Sequence, residues 1–289
     1  MKNVYDIIVV GLGPAGVSAA LYARRAGMST LAIGEENSAL HKAESIDNYY
    51  GVPMGTSGKE LFDTGVKQLR ESDVDILNGQ VVGIEWDGSY NIKSTKGEFK
   101  ATSVIFATGT NRRAPKIEGI KEFEGRGVSY CAVCDGFFYR GKTVAVLGEG
   151  EYAAEEASYL KNLAQKVYVL TNGLAPTAKA EGVEYITEKL VAVKGENTVE
   201  KAVLENGVEI EISGLFVAVG VAGTTDFARK LGCEINGNAI VTDEKCATNL
   251  PGLYAAGDNT GGMLQIAKAV YEGAVAGSES AKFVRMMRG

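Results

Sequence analysis

The stretch Ile7-Ile8-Val9-Val10-Gly11-Leu12-Gly13-Pro14-Ala15-Gly16 decides the fold of this 289-residue chain. Four consecutive apolar residues indicate a strand that is buried on both faces, as in a parallel sheet. The glycines that follow allow the backbone and the start of a helix to approach a pyrophosphate closely. A helical stretch then runs to about Ala26, and Leu31-Ala32-Ile33 forms a second strand. The order of strand, glycine turn, helix and strand predicts a dinucleotide-binding βαβ unit.

An acidic residue after the second strand completes this fingerprint, because it can bind a ribose hydroxyl of the nucleotide. Glu35 and Glu36 both stand at that point, about 20 residues beyond the third glycine. Either glutamate could instead belong to a plain solvated turn. The sequence does not choose between the two, so both are candidate cofactor-binding residues.

The same pattern recurs in the second half of the chain, which indicates a duplicated domain. A second apolar strand leads into Gly148-Glu149-Gly150-Glu151-Tyr152-Ala153, and another strand follows at 167–170. The strand-to-glycine turn at 104–109 is echoed at 215–220, and 252–258 forms a late strand that closes on a Gly-Asp pair. The predicted fold class is therefore α/β, with two Rossmann-like nucleotide-binding domains of the three-layer ββα type. The second domain is predicted to be inserted into the first.

The predicted domain boundaries follow from this reading. Residues 1–112 and 248–289 are expected to form the first nucleotide-binding domain, and 113–247 the inserted second domain; the family resemblance described below implies FAD in the first and the redox disulfide in the second. The net charge of −6 and the pI near 5.1 argue against nucleic acid as a partner, because nucleic acid requires a basic face. The N-terminus runs directly into the first strand without a cleavable leader, and no apolar run is long enough for a membrane span. A cytoplasmic protein without a membrane partner is expected.

Cys131-Ala132-Val133-Cys134, followed by Asp135, is the most informative chemical motif. In a protein without a secretory signal, a Cys-x-x-Cys pair indicates a reversible disulfide rather than a structural one. A turn or helix start favours the thiolate, which is the form that attacks another disulfide. The Asp135 carboxylate can give or take the proton that this reaction moves. The alternative is half of a zinc site, but only Cys233, Cys246 and His41 remain as ligands and none is closely spaced, so no metal site is predicted.

These motifs, in this order, resemble those of the low-molecular-weight thioredoxin reductases over nearly the whole chain. The resemblance implies an FAD-dependent thioredoxin-disulfide reductase, a homodimer in which the inserted domain rotates to present its cysteines to flavin and to thioredoxin in turn. It implies that Cys134 is the flavin-proximal sulfur, that Cys131 exchanges with the substrate disulfide, and that Asp135 is the acid and base. The residues that it places around FAD are Gly11, Gly13, Pro14, Ala15, Glu35 or Glu36, Asn48, Ala107, Thr108, Gly109, Gly257, Asp258, Gln265 and Ile266.

The second glycine turn departs from the pattern of the NADPH-dependent members of that family. Those members carry a basic His-Arg-Arg-type cluster after the second strand, whereas Thr171-Asn172-Gly173-Leu174-Ala175-Pro176 follows here and the next cation is Lys179. A phosphate needs charge-assisted donors, and Glu149 and Glu151 would instead repel it. A switch to NADH would require an acid after Leu170, but the first is Glu181. An NADPH or NADH enzyme remains the alternative to a nicotinamide-independent one.

The resemblance is therefore greatest to the ferredoxin-dependent flavin thioredoxin reductases of clostridial type. A flavin can accept single electrons from ferredoxin and pass a pair to a disulfide, and the iron–sulfur cluster must belong to the partner because this chain has too few cysteines. Two further alternatives stay open: a dithiol oxidase that passes electrons to oxygen, and an FAD-binding redox sensor without turnover. An acidic ferredoxin could be steered by basic residues on the surface of this chain. The candidates are Arg24, Arg25, Arg112, Arg113, Lys282, Arg285 and Arg288. Isolated basic pairs, however, are usually ordinary solvated surface.

Overall fold

The computed structural model describes residues 2–35, 38–109, 115–130, 132–219, 224–237 and 239–289. The chain divides into two compact units. The first unit combines residues 1–111 with 223–289, and the second unit is formed by residues 112–222.

A seven-stranded sheet forms the centre of the first unit, in the order β3-β2-β1-β6-β5-β4, with β17 paired to the second half of β6. Its strands are β1 (Val4–Val10), β2 (Thr30–Gly34), β3 (Asp75–Asn78), β4 (Val81–Trp86), β5 (Tyr90–Ser94), β6 (Gly97–Phe106) and β17 (Leu253–Ala255). Strands β1, β2, β3, β6 and β17 are parallel, whereas β4 and β5 form an antiparallel meander. The carboxyl ends of β1, β6 and β17 therefore meet at one edge, which is where a ligand binds in sheets of this kind.

Helices α1 (Pro14–Arg25) and α6 (Ile266–Arg288) pack closely against each other beside this sheet. A Cβ atom on Gly273 would lie 2.2 Å from the carbonyl oxygen of Ala15, and one on Gly277 would lie 2.3 Å from that of Ala19. Glycine at these two positions is what allows the helices to approach. The C-terminal segment therefore belongs to the first unit.

The second unit repeats the parallel architecture on a smaller scale, with a five-stranded sheet in the order β10-β9-β8-β14-β7. Its strands are β7 (Val128–Ser129), β8 (Thr143–Leu147), β9 (Lys166–Leu170), β10 (Glu184–Ile186) and β14 (Gly214–Val217). An antiparallel sheet is added by β11 (Leu190–Lys194), β12 (Lys201–Leu204) and β13 (Glu209–Glu211). The helices are α3 (Ala132–Asp135) and α4 (Glu151–Leu160), and α4 packs on β8 and β9. The predicted α/β class with parallel sheets is confirmed.

The chain returns to the first unit earlier than the predicted boundary at 248. Helix α5 (Thr224–Leu231) packs on β4, with Phe227 and Ala228 buried. The short hairpin of β15 (Ile235–Asn236) and β16 (Ala239–Ile240) follows it. The observed units therefore divide at 223, because a short amphipathic helix attaches this segment to the first unit before the Gly-Asp strand begins.

The first unit also contains α2 (Gly58–Glu71) and two 3-10 turns, at Ala39–Lys42 and Asp258–Thr260. A further 3-10 turn, at Gly136–Tyr139, belongs to the second unit. Within the described ranges, no helix combines the length and the apolar character that crossing a membrane requires.

Candidate functional site

The first glycine turn connects β1 to α1 and requires glycine at specific positions. Gly11 has a φ of +121°, and a Cβ atom there would lie 2.3 Å from the carbonyl oxygen of Ala107. A Cβ atom on Gly16 would lie 2.0 Å from the carbonyl oxygen of Gly11. Gly13 is the N-cap of α1, and Pro14 occupies the first turn of the helix. The backbone amides at the start of a helix attract an anion, and glycine leaves room for one to approach.

Three strand ends that are distant in the sequence converge beside this turn. The Ala107 amide donates to the carbonyl oxygen of Val10 at 2.8 Å, which places the predicted Ala107-Thr108-Gly109 turn next to the first glycine turn. The amide of Ala256 and the side-chain amide of Asn259 both donate to the carbonyl oxygen of Phe106, at 2.8 and 2.9 Å. These contacts connect the Gly257-Asp258 segment to the same edge.

Gly257 itself approaches α1. It has a φ of +89°, and a Cβ atom there would lie 2.9 Å from the Cβ atom of Ala15. The adjacent Asp258 is half-buried, and burial is the main cause that raises the pKa of its carboxyl group, with Lys268 opposing the shift and Glu272 adding to it. Predicted site residues from both ends of the first unit therefore lie together.

Lys268 and Glu272, which the sequence analysis did not single out, fix the Gly257–Gly261 loop. The Lys268 ammonium group donates to the carbonyl oxygens of Gly257 and Gly261, at 2.8 and 2.5 Å, and to Thr260 Oγ1 at 2.8 Å. Glu272 accepts from the Gly257 amide at 2.8 Å and forms an ion pair with Lys268 at 3.1 Å. The i,i+4 spacing of the two residues at the start of α6 is the only sequence signal for this network.

Asn48 and Gln265 also meet, although more than two hundred residues separate them. The Asn48 side-chain amide donates to Gln265 Oε1 at 3.1 Å. Gln265 is the N-cap of α6, and Ile266 begins the helix. The loop that carries Asn48 is shaped by Asp47, which accepts from the Gly55 amide; this bond lowers the pKa of the Asp47 carboxyl group, and the bond from Ser45 adds to the effect.

The structure describes only one of the two candidate ribose-binding acids. Glu35 follows β2 and accepts a hydrogen bond from the Gln80 side-chain amide at 2.7 Å. Glu36 lies outside the described residues. His41, the only histidine, takes part in the N-terminal cap of the 3-10 turn through Ser38 and contacts the Phe62 ring, with ring centres 4.7 Å apart. This histidine has a structural role.

The first unit fits the predicted FAD. The glycine turn opens at a helix N-terminus, and Asp258 and the Asn48–Gln265 pair supply polar groups in the same unit. Asn259 adds a further observation, because its Oδ1 is buried and has no hydrogen-bond partner among the described residues. A buried polar atom of this kind requires an explanation, and a bound polar ligand or water would supply one.

The described part of the predicted redox motif, Ala132–Asp135, forms α3 of the second unit. Cys131 lies outside the described residues, and so does the side chain of Cys134. Asp135 is half-buried, and its Oδ2 accepts a hydrogen bond from Ser129 Oγ at 2.6 Å. Asp135 also contributes, after burial, to raising the pKa of Tyr139. Ser129 therefore fixes the orientation of the predicted proton-transfer group.

Helix α4 supplies two further contacts to this motif that the sequence analysis missed. Glu156 Oε2 accepts from the Ala132 amide at 2.7 Å, and the Tyr152 hydroxyl donates to the carbonyl oxygen of Tyr130 at 3.2 Å. Both side chains are almost fully buried, at 2% and 1% exposure. Acidic residues on a helix beside a redox motif carry no distinctive sequence pattern, because neighbouring glutamates are common on solvated helix faces.

The second glycine turn has the backbone of a nucleotide site but different surroundings. Gly148 has a φ of +153°, and a Cβ atom there would lie 2.2 Å from the carbonyl oxygen of Ala218. The segment after β9 turns back onto this loop: the Thr177 amide donates to the carbonyl oxygen of Glu149 at 2.8 Å, and Thr177 Oγ1 lies 3.3 Å from the same oxygen. The chain itself therefore contacts the loop that would hold a pyrophosphate.

Cys233 and Cys246 are buried free thiols. Burial raises the pKa of Cys233 to about 11 and that of Cys246 to about 12. Such thiols are protonated and unreactive at neutral pH.

Comparison with known proteins places these features in a family context. A family model described as pyridine nucleotide-disulphide oxidoreductase matches residues 5–273. The thioredoxin reductase of Aquifex aeolicus is 34% identical over 279 residues, which cover 89% of this chain and 85% of that protein. Among solved structures, the atypical thioredoxin reductase TRi from Desulfovibrio vulgaris Hildenborough is 38% identical with a TM-score of 0.89, covering 97% of this chain and 98% of that one. The ferredoxin-flavin thioredoxin reductase from Clostridium acetobutylicum is 33% identical with a TM-score of 0.72, covering 99% of each chain.

Proposed function

The chain belongs to the low-molecular-weight thioredoxin reductases within the pyridine nucleotide-disulphide oxidoreductase family, and from this premise we propose that reduced ferredoxin, not a nicotinamide, supplies its electrons. Members of this family are FAD-dependent flavoproteins. The coarser activity, a flavin oxidoreductase that reduces thioredoxin, follows from the family and from the relatives over nearly the full chain. The electron donor and the residue roles are what the proposal adds.

The first unit would hold FAD. The pyrophosphate would lie at the start of α1, lined by Gly11, Gly13, Pro14 and Ala15. Glu35 or Glu36 would bind the adenosine ribose. Residues that would line the rest of the cofactor are Asn48, Ala107, Thr108, Gly109, Gly257, Asp258, Gln265 and Ile266. When bound, the flavin accepts electrons one at a time and delivers them in pairs, which is what links a one-electron donor to a disulfide.

The second unit would carry the thiol chemistry. The Cys131 thiolate attacks the thioredoxin disulfide, and Cys134 then resolves the mixed disulfide, so that one disulfide is formed as the other is reduced. Asp135 holds and transfers the proton that leaves or returns to the thiols, and its hydrogen bond from Ser129 keeps it oriented. The identity of Cys134 as the flavin-proximal sulfur remains a prediction of the resemblance.

Two exposed aromatic side chains next to the motif offer a surface for the protein substrate. Phe137 and Phe138 are 66% and 69% exposed, and the Arg140 guanidinium group lies over the Phe137 ring. Exposed aromatic and arginine side chains are the residue types that contribute most to protein–protein contacts. We assign them to the docking of thioredoxin.

The observation that carries the choice of donor is the closed second glycine turn. Thr177 bonds to the carbonyl oxygen of Glu149 through its amide, so a pyrophosphate at this turn would have to displace the 171–177 segment. Glu149 and Glu151 add negative charge at the same loop, and no cation follows β9 before Lys179. A dinucleotide phosphate would therefore find repulsion where it needs donors.

Ferredoxin is the donor class that fits a flavin without a nicotinamide site. A ferredoxin near −400 mV and a thioredoxin near −270 mV differ by enough to release about 6 kcal/mol for two electrons. One of the similar solved structures is itself named a ferredoxin-flavin thioredoxin reductase. The cytoplasmic location and the homodimer remain predictions, as does the second unit's role as an inserted redox domain.

The basic residues considered for steering ferredoxin are largely engaged within the first unit. Arg24 pairs with Asp73 at 3.5 Å, Lys282 pairs with Glu279 at 2.6 Å, and Arg288 pairs with Asp6. Arg285 donates to the carbonyl oxygen of Ala26 at 2.6 Å. Arg112 and Arg113 lie outside the described residues. The docking surface for the donor is therefore not identified by these side chains.

A steady-state assay tests the proposal. Thioredoxin thiols are measured anaerobically with NADPH, NADH or photochemically reduced ferredoxin as the donor. We expect turnover with ferredoxin alone, and none with Cys131→Ser under the same conditions. Rapid turnover with either nicotinamide contradicts the proposed donor, and rapid consumption of oxygen by dithiol-reduced enzyme, without turnover from any donor, indicates an oxidase instead.

A further inference from the structure

Lys268 holds the loop that carries Asp258 on both sides of that residue. Its ammonium group donates to the carbonyl oxygens of Gly257 and Gly261, at 2.8 and 2.5 Å, and to Thr260 Oγ1 at 2.8 Å. Asp258 therefore lies between one contact to the residue before it and two contacts to residues that follow it. The Lys268 side chain is only 15% exposed, so these hydrogen bonds are shielded from competing water.

The loop is rich in glycine and needs such contacts. Gly257, Gly261 and Gly262 have φ values of +89°, +77° and +71°. Glycine adopts these conformations readily, but it also loses more conformational freedom than any other residue when it is fixed. A group outside the loop must therefore supply the energy that holds it in one conformation, and Lys268 supplies three of the hydrogen bonds that do so.

Lysine is an unexpected residue at this point of a helix. Lys268 is the third residue of α6, and the amides at a helix N-terminus favour anions and disfavour cations. No acidic residue occupies the first turn of α6, and Glu272, one turn further on, pairs with Lys268 at 3.1 Å. Helix stability therefore does not explain a cation at this position, whereas the contacts with the loop do.

The same turn of α6 also contacts a second loop of the site. Its N-cap, Gln265, accepts a hydrogen bond from the Asn48 side-chain amide at 3.1 Å. Lys268 thus connects the Asp258 loop to the helical turn that holds the Asn48 loop. Three segments that are predicted to surround FAD are joined by these contacts.

We propose that Lys268 is a positioning residue for the flavin, which preforms the Asp258 loop for FAD and keeps the Asp258 side chain as a carboxylate. This inference rests on the proposed placement of FAD in the first unit. An ionised carboxylate accepts hydrogen bonds from hydroxyl groups through both oxygens, whereas the protonated acid must donate through one of them. A loop that is already ordered loses little conformational entropy when the cofactor binds, so FAD is held more tightly.

Two charged groups act directly on Asp258 among the described residues, Lys268 and Glu272. Cys246, on the segment before β17, has its pKa raised to about 12 by burial and stays protonated. Asp243, which acts on Cys246, accepts hydrogen bonds from backbone amides of its own turn. Strand β16 and the start of α1 also pack on the loop and contribute no titratable residue there.

These charges determine the direction of the pH dependence. Burial is the main cause that raises the pKa of Asp258; the Lys268 ammonium group opposes this rise and Glu272 adds to it. A neutral residue in place of Lys268 should therefore raise the pKa of Asp258 further, so that the carboxylate becomes protonated at a higher pH. FAD should then dissociate at a pH at which the wild type still retains it.

The test is the release of FAD from the purified holoenzyme. The protein is diluted into flavin-free buffers between about pH 4.5 and about pH 8, and the fluorescence of released FAD is measured. Lys268→Met keeps the length of the side chain and removes its charge and its donors, whereas Lys268→Arg keeps both. Lys282→Met is the matched control, because Lys282 is an exposed lysine of the same helix that pairs with Glu279 at 2.6 Å.

We expect Lys268→Met to bind FAD about 30-fold more weakly than the wild type at neutral pH, because hydrogen bonds from a charged donor are lost. The loss should grow as the pH falls. Lys268→Arg should recover most of the affinity, and Lys282→Met should match the wild type. Release from Lys268→Met at the wild-type rate overturns the proposal. An equal loss at every pH that arginine does not recover also overturns it, because Lys268 would then act only through its packing.

Glu272→Gln covers the case in which Lys268→Met does not fold. Glutamine can still accept from the Gly257 amide but lacks the charge that adds to the pKa of Asp258. This variant should retain FAD to a lower pH than the wild type, and release at the same or a higher pH overturns the proposal. The measurement needs no electron donor, so its result is separate from the choice between ferredoxin and a nicotinamide. Wild-type protein that binds no FAD would instead contradict the cofactor assignment itself.

Discussion

The two glycine turns share one backbone geometry and differ in what surrounds it. The Gly11 amide donates to the carbonyl oxygen at the end of the neighbouring strand, Ile33, at 2.7 Å, and the Gly148 amide donates to Leu170 at 3.0 Å. A Cβ atom at either position would lie within 2.3 Å of a carbonyl oxygen of the next strand end. The turn itself is therefore retained in both units by the packing of strand against strand.

The surroundings decide whether the turn can take a nucleotide. The first turn has Pro14 and Ala15 at the start of its helix, whereas the second has Glu151 and Tyr152 and is contacted by Thr177. A glycine motif therefore indicates a backbone conformation that the packing of the sheet requires. The ligand is determined by the side chains at the helix start and by the segment after the second strand.

Replacing the first glycine of each turn by alanine is expected to have the largest effect. The two variants should distinguish a turn that packs the sheet and binds a nucleotide from a turn that only packs the sheet. Gly11→Ala and Gly148→Ala both force a side chain into a positive-φ site against a carbonyl oxygen, at a cost of about 3 kcal/mol in the free energy of unfolding. We expect Gly11→Ala to be purified without flavin and Gly148→Ala to keep its flavin with a lowered Tm. Flavin absorbance per protein and thermal unfolding measure the two effects. Equal loss of flavin in both variants would contradict the comparison.

Asp135→Asn is expected to have the next largest effect, because the proposed function assigns the proton transfer of the thiol chemistry to this residue. Loss of the proton-transfer group is expected to lower thioredoxin turnover by about 10²- to 10⁴-fold. Ser129→Ala removes the hydrogen bond that orients Asp135 and should cost about tenfold. Steady-state thiol formation measures both. Flavin content is the control and should be unchanged, because these residues belong to the second unit.

The sequence predicted the features that local patterns encode. Gly11 and Gly148 are recognisable because a strand, a turn and a helix follow one another, and the Cys-x-x-Cys-Asp spacing predicts a redox motif. Contacts between distant segments were not recognisable. Lys268 reaches Gly257 and Glu156 reaches Ala132 only after the helices pack, and nothing in their sequence neighbourhoods indicates these partners.

The unit boundary at 223 and the closed second turn were harder to predict for the same physical reason. A short helix such as α5 shows which unit it belongs to only through the surface that it covers, here β4. The absence of arginine after Leu170 indicated a lost phosphate site, but the bond from Thr177 to Glu149 depends on how the segment turns back. The sequence indicates that the cations are missing, but it does not indicate the contact between Thr177 and Glu149 that is formed instead.

Asp258→Asn is expected to change both the free energy of unfolding and the affinity for FAD. Burial raises the pKa of Asp258, so its ionised form costs folding free energy, and this cost grows as the pH rises from the unfolded value through the raised folded value. We expect the asparagine variant, stripped of flavin, to resist urea at pH 7 at least as well as wild type and to bind FAD more weakly. Urea unfolding at pH 7 and at low pH, where the difference should disappear, provides the measurement. A less stable variant at pH 7 would contradict this account of the carboxylate.

The smallest effect is expected from the charges of the second turn alone. Glu149→Gln with Glu151→Gln removes the repulsion but leaves Thr177 bonded to the loop and supplies no cation. We expect NADPH to reduce the flavin of this double variant less than tenfold faster than that of wild type. Stopped-flow absorbance is the measurement. A gain of several hundredfold would show that the two acids, and not the closed segment, exclude the nucleotide.

The most direct test of the central claim is a single-turnover reduction of the flavin in the purified wild-type enzyme. The enzyme is mixed anaerobically with NADPH, with NADH or with reduced ferredoxin, and loss of the flavin absorbance is followed. The account predicts bleaching by ferredoxin within seconds and none by either nicotinamide over the same period. Rapid bleaching by NADPH would contradict it, because the second glycine turn would then still take a nucleotide.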